Sequence, residues 1–136
     1  MNESNISVLF ADIKGYTTIS KSVSATNLEG LLDNYIKTMS SITEHFNGRI
    51  DKIMGDGIIA LFEPQDQETA AHTYNAALAT LEMQNAVTNL RDDWQQMGAG
   101  IDLIVRIGLA TGDVVIGEVK AGKHEEYTAL GDAVNL

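Results

Sequence analysis

The stretch that most limits what this chain can fold into runs from Arg49 to Phe62: Arg-Ile-Asp-Lys-Ile-Met-Gly-Asp-Gly-Ile-Ile-Ala-Leu-Phe. Two short, mostly apolar segments flank Gly55-Asp56-Gly57. Glycine takes positive φ without steric cost, so the stretch predicts a β-hairpin with a tight turn. Its charges are unusual for a structural hairpin. Lys52 stands among Ile50, Ile53 and Met54, and Asp56 sits at the tip. Two readings stand side by side: an ordinary turn beside a lysine whose stem snorkels, or a lysine and a carboxylate that face an anionic ligand.

The segments around this hairpin alternate between two periods. Ile6 to Ala11 reads as a buried strand ending at Asp12, followed by Ile13-Lys14-Gly15-Tyr16-Thr17-Thr18 and a helix. A carboxylate at the carboxyl end of a core strand, with a glycine- and threonine-bearing turn after it, is where α/β folds place ligands. The N–H groups of such a turn and of the helix start suit phosphate oxygens. Asp12 reads equally well as a cap of that helix. From Thr26 to Phe46, Leu28, Leu31, Leu32, Tyr35, Ile36, Met39, Ile42 and Phe46 recur at three- and four-residue steps and predict an amphipathic helix. Thr26 with Glu29 forms a capping box, and Asn47-Gly48 a left-handed exit.

A second long helix is expected from Gln67 to Met97, with Ala70, Ala71, Tyr74, Ala77, Leu78, Leu81, Val87, Leu90, Trp94 and Met97 on its apolar face and Gly98-Ala99-Gly100 ending it. Two strands follow, Leu103 to Ala110 and Asp113 to Val119, joined at Thr111-Gly112; Lys120 to Glu126 reads as a polar loop. Gly131-Asp132 looks like a helix start, with Asp132 placed to complement the dipole. His45, His72 and His124 have no metal-ligand spacing and are expected on helix surfaces or loops. The order β-α-α-β-β-α-β-β predicts an α+β fold, a mixed antiparallel sheet with helices packed on one face.

Composition narrows the function. A chain of 136 residues with 44% hydrophobic content, one proline and no cysteine is expected to form one domain, residues 1–136, that needs neither disulfides nor a thiolate metal site. Its net charge of -10 argues against a nucleic-acid groove, and means that a polyphosphate ligand must come with cations. No run reaches the roughly 18 apolar residues of a membrane span, and the longest, Ile101 to Ala110, is broken by Asp102 and Arg106. The expectation is a soluble, cytoplasmic domain.

Four motifs occur in order: Phe10-Ala11-Asp12-Ile13-Lys14-Gly15-Tyr16-Thr17, Lys52-Ile53-Met54-Gly55-Asp56, Ile107-Gly108-Leu109-Ala110-Thr111-Gly112, and Tyr127-Thr128-Ala129-Leu130-Gly131-Asp132-Ala133-Val134-Asn135. Each is weak alone. Together they closely resemble the class III nucleotide cyclase catalytic domain, most of all its bacterial adenylate cyclases, from about Ile6 to the last residue. The resemblance implies the ferredoxin-like, palm-type fold of that class. It also implies formation of a cyclic 3′,5′-nucleotide and pyrophosphate from a nucleoside triphosphate. On this footing Asp12 and Asp56 match the aspartates that bind two Mg²⁺ or Mn²⁺ ions, with the Ile13 carbonyl completing the shell. The turn Lys14, Gly15, Tyr16, Thr17 would hold the β- and γ-phosphates. Lys52 matches the base-selecting lysine of members that use ATP: a donor suits adenine N1, whereas guanine N1 calls for an acceptor. Thr128 stands where many adenylate cyclases have aspartate and some bacterial ones threonine, and its hydroxyl can accept from the adenine amino group. Asn135 matches the asparagine that orients the ribose.

The resemblance further implies a site shared by two chains, Asp12 and Asp56 from one and Lys52, Thr128 and Asn135 from the other, hence a homodimer with regulatory domains outside these residues. The family's transition-state arginine would lie four residues past Asn135, beyond Leu136, so the domain reads as incomplete at its C-terminus and the 136-residue piece as inactive on its own. Three alternatives stand beside this reading. A cyclase-like binding module without turnover should have lost a metal aspartate or Lys52, and has lost neither. A diguanylate cyclase would carry a Gly-Gly-Asp/Glu-Glu-Phe turn, which Met54-Gly55-Asp56-Gly57 does not match. A guanylate cyclase is disfavoured by Lys52.

Overall fold

In the computed structural model, residues 2–65, 71–96, 102–121 and 124–130 are described. Strand β1, Asn2–Ile13, lies at the centre of a five-stranded sheet. It is followed by α1 (Tyr16–Ser22), α2 (Ala25–His45), β2 (Arg49–Met54), β3 (Gly57–Phe62), α3 (Ala71–Gln96), β4 (Val105–Ala121) and β5 (His124–Leu130). The strand order is β2-β3-β1-β4-β5, and every described pair is antiparallel.

The near-continuous apolar character of β1 from Ile6 to Ala11 follows from burial on both faces. Leu9, Ala11 and Ile13 pack beneath the helices with Ile58, Ala60 and Phe62 of β3, Leu31, Tyr35 and Met39 of α2, and Ala76, Ala79, Met83 and Trp94 of α3. Ile6 and Val8 point the other way and join Leu61 and Val114 in a second cluster without helix residues. The helices therefore cover one face, as expected for an α+β fold.

The apolar stripe of α2 is as read, with Leu31, Tyr35 and Met39 fully buried. Its start differs. Ser24 is extended and its side chain accepts from Asn27 N at 3.2 Å, which places Thr26 inside the first turn and not at the cap. The exit is the expected one: Asn47 has φ 66, and Gly48 N bonds Thr43 O at 2.9 Å. A Cβ on Gly48 would lie 2.5 Å from the Phe62 ring, so the helix end and β3 can approach this closely only without a side chain.

Several expectations need correction. On α3 the buried row is His72, Ala76, Ala79, Met83, Val87, Leu90 and Trp94, while Tyr74 and Leu81 are 67% and 64% exposed. The helix carries two interleaved apolar rows over its first half, and the sheet takes the row of small residues because close approach needs them. Ala70 and Met97 lie outside the described residues. His72 is accordingly buried, with Nε2 3.1 Å from Asn5 Oδ1, while His45 is exposed as read. Finally, Thr111-Gly112 is no turn. β4 runs unbroken through it, opposite β1 from Asn2↔Ile116 to Ile13↔Val105, and Ser7 Oγ lies 2.7 Å from Thr111 Oγ1. A twelve-residue β1 offers a ladder long enough to hold β4 straight, and neither Thr111 nor Gly112 has positive φ. Of the segment read as a polar loop after Val119, Lys120 and Ala121 belong to β4 and His124 to Glu126 belong to β5, with Lys120 opposite Glu125, so His124 is a strand residue and not on a helix or loop.

Candidate active site

The carboxyl end of β1 meets the tip of the β2–β3 hairpin. β1 pairs with β3 through Ala11↔Ile58, and continuing that register by two residues sets Asp56 opposite Ile13. There the Asp56 side chain replaces a strand carbonyl: its Oδ2 accepts from Ile13 N at 2.9 Å. One Asp56 oxygen thus fastens the hairpin tip to β1 beside Asp12. The turn that permits this has Gly55 at φ 60, the positive-φ first position of a two-residue loop.

Asp12 does not cap α1, whose N-cap is Gly15 (φ 72, with no side-chain cap bond). Its carboxylate instead forms a fork with Arg106, its ladder partner on β4: Nε to Oδ1 at 2.7 Å and Nη2 to Oδ2 at 2.8 Å. That hydrogen bond, more than the charge attraction, raises the Arg106 pKa. Tyr35 lies fully buried below, its hydroxyl without a partner among the described residues. Burial pushes its pKa up, and the charges of Asp56 and then Asp12 push it further.

After Ile13 the chain turns into α1. Lys14 N is committed to Ile104 O at 2.8 Å. Of the turn Lys14 to Thr17, the amides from the N-cap Gly15 onward remain as first-turn donors, which lack intrahelical acceptors. The Lys14 amide is therefore not a phosphate donor here.

Lys52 is exposed on β2 and makes no ion pair among the described residues. It stands opposite Ile59, which stands opposite Phe10, which stands opposite Gly108. Paired residues share a face, so Lys52 projects from the helix-free face, the face of Asp12 and Arg106. One strand, β3, lies between it and Asp12, so the two stand two inter-strand spacings apart, about 10 Å across the sheet. Thr128 is on β5 opposite Gly117, at the other edge of the strand order, and Asn135 lies outside the described residues. Within one chain, then, Asp12 and Asp56 converge, Lys52 stands apart on the same face, and the ladder does not carry Thr128 to either.

Among the described residues, no group of three or more histidine, cysteine, aspartate or glutamate side chains could hold a metal ion. Two carboxylates alone do not make a closed cage. They do suit hard cations that keep positions open for other oxygens. Asp12 already binds a cationic group through both oxygens, and Asp56 has its second oxygen outside the bond to Ile13. The donor set fits hard divalent ions that complete their shells with further oxygen ligands. Arg106 was not assigned to the site from sequence. The only signal was a lone charge at an alternating position in an apolar strand.

The profile of the adenylate and guanylate cyclase catalytic domain matches residues 1–136. The chain is 34% identical over 134 residues to an adenylate cyclase of Anabaena cylindrica and 31% identical to adenylate cyclase 1 of Rhizobium meliloti. Each match takes in 96% of this chain, but only 26% and 19% of those longer proteins. Among solved structures it resembles the adenylyl cyclase CyaB from P. aeruginosa, with TM-score 0.93 and 32% identity over 98% of this chain and 69% of that one. The guanylyl cyclase Cya2 gives TM-score 0.90 and 29% identity over 98% and 67%.

Proposed function

Since this chain belongs to the adenylate and guanylate cyclase catalytic domain family, we propose that residues 1–136 are the catalytic domain of an adenylate cyclase, forming 3′,5′-cyclic AMP and pyrophosphate from ATP. The observation that carries this is the convergence of Asp12 and Asp56, secured by the bond from Ile13 N to Asp56 Oδ2 at 2.9 Å. Two Mg²⁺ or Mn²⁺ ions at Asp12, Asp56 and the Ile13 carbonyl would supply Lewis acidity to the ribose 3′-hydroxyl and the α-phosphate, and offset the triphosphate charge. In the reaction the ribose 3′-oxygen would bond the α-phosphorus and release its proton to water, while the bond from that phosphorus to the oxygen bridging to the β-phosphate breaks and pyrophosphate leaves. The chain's own part is to hold the pieces. Amides from Gly15 onward in the turn take phosphate oxygens, Lys52 donates to adenine N1, the Thr128 hydroxyl accepts from the adenine amino group, and Asn135 orients the ribose.

The separation of Lys52 from the carboxylate pair supports a site completed by a second copy. In a symmetric homodimer, Asp12 and Asp56 of one chain face Lys52, Thr128 and Asn135 of the other, and both sites are equivalent. ATP as substrate implies a cytoplasmic setting, and control would come from segments outside these residues. No helix among the described residues is long and apolar enough to cross a membrane.

The test is turnover of ATP and of GTP, with Mg²⁺ and with Mn²⁺, by the domain extended to include the arginine that the family places four residues past Asn135. Cyclic AMP from ATP at a rate well above cyclic GTP from GTP is expected. Preferential use of GTP would transfer the reading to guanylate cyclase, the activity named for the structural neighbour Cya2. Absence of both products would leave only a binding module.

A further inference from the structure

The two carboxylates of the site are not equivalent. Asp56 uses one oxygen on Ile13 N and keeps the other. Asp12 has both oxygens engaged by one guanidinium, at 2.7 and 2.8 Å, and that guanidinium belongs to the residue directly across the β1–β4 ladder. The pairing therefore needs no loop movement to form, and the fork takes one lone-pair direction on each oxygen, those along which a cation would bind the carboxylate through both oxygens. The partners differ in exposure: the Arg106 side chain is 61% exposed and the Asp12 side chain 23%. Arg106 can swing into water without opening the sheet, whereas Asp12 is fixed at the strand end.

From this we propose that Arg106 is the resident counter-cation of Asp12, and that a divalent ion binds Asp12 by exchange with the guanidinium. The inference rests on Asp12 being a metal ligand and adds a positioning role for Arg106. Without metal, Arg106 keeps the carboxylate oriented and its charge offset beside Asp56, so the corner stays assembled. With metal, the exchange lowers apparent affinity at Asp12 and leaves Asp56, whose second oxygen is outside the bond to Ile13, as the readier anchor. Exposed ion pairs contribute modestly, which lets the exchange proceed at ordinary metal concentrations.

The test is direct metal binding, read by Mn²⁺ titration with electron paramagnetic resonance on the purified protein without nucleotide. Arg106→Gln is expected to bind Mn²⁺ about two- to fivefold tighter than wild type. Arg106→Lys, which keeps a charge but not the fork, should fall between. In parallel, the ¹⁵N–Hε resonance of Arg106 in wild type is expected to shift as diamagnetic Mg²⁺ is added, tracking occupancy. That measurement needs no variant and stands if Arg106→Gln folds poorly. Unchanged or weaker Mn²⁺ binding by a folded Arg106→Gln, or an Arg106 resonance indifferent to saturating Mg²⁺, overturns the exchange. Asp12→Asn separates the two levels. If it abolishes a metal affinity that ignores Arg106, the inference fails alone; if it leaves binding untouched, the assignment of Asp12 fails and takes the inference with it.

Discussion

Asp56 is predicted to do two separable jobs, and paired substitutions can pull them apart. Its Oδ2 accepts the Ile13 N–H at 2.9 Å in a partly buried setting and so closes the hairpin onto β1. A hydrogen bond to a charged acceptor contributes about 1.5–3 kcal/mol, and one to a neutral acceptor about 1 kcal/mol. Asp56→Asn keeps a carbonyl oxygen at the same reach and is expected to lose about 1 kcal/mol. Asp56→Ala leaves Ile13 N–H unpaired at the strand end and is expected to lose about 2 kcal/mol. For a domain of this size the Tm falls by roughly 4 °C per kcal/mol, so thermal melts should drop by about 4 and 8 °C respectively. Both variants remove the charge and should abolish Mn²⁺ binding at this position to the same extent. Stability therefore ranks the variants while metal binding does not. An alanine variant that melts with wild type would refute the fastening role, and an asparagine variant with wild-type Mn²⁺ affinity would refute the ligand role.

Three further outcomes are expected. Lys52→Glu in the active domain should lower kcat/KM for ATP by about a hundredfold or more, because a donor to adenine N1 becomes an acceptor; unchanged ATP turnover would remove Lys52 from base selection. Gly48→Ala should destabilise by about 1–3 kcal/mol, since the added Cβ would meet the buried Phe62 ring at 2.5 Å; in a double-mutant cycle by urea melts, Phe62→Leu should absorb much of that loss, and strict additivity would disprove the clash. Tyr35→Phe deletes a buried hydroxyl without a partner among the described residues, and stability should stay level or rise by up to about 1 kcal/mol; a loss above about 2 kcal/mol in the same melts would reveal a bond to that hydroxyl.

What could be read from the sequence was whatever local periodicity or local chemistry decides. The α2 stripe through Leu31, Tyr35 and Met39, the hairpin turn at Gly55-Asp56 and the left-handed Asn47 belong to this class, because each is settled within a few neighbouring residues. What escaped depends on partners far along the chain. Thr111-Gly112 has turn chemistry but is held extended by Ser7 and Ile6 across the ladder. Tyr74 and Leu81 outweigh Ala76 and Ala79 in apolar content, yet the sheet selects the alanines because the helix must come close. Arg106 lies 94 positions from Asp12, and only the β1–β4 register makes them neighbours.

A local irregularity in β2 lets one hairpin carry both Asp56, the proposed metal ligand, and Lys52, the proposed contact to the base. Ile50 and Lys52 are two residues apart, and in a regular strand they would share a face. Ile50 is needed under the helices, where it packs on the core, so Lys52 would be driven there too. The register shift between them prevents this: Ile50 is opposite Ala60 and Lys52 opposite Ile59, with Asp51 as the extra residue. A single bulged residue sends Ile50 to the core and Lys52 to the helix-free face. It does so without disturbing Met54↔Gly57, the pair that sets Asp56 at the tip. Lys52 is thus presented outward from the sheet edge while Asp56 turns back onto its own β1. That divergence within one short hairpin is the arrangement expected of a site whose two halves come from two copies of the chain.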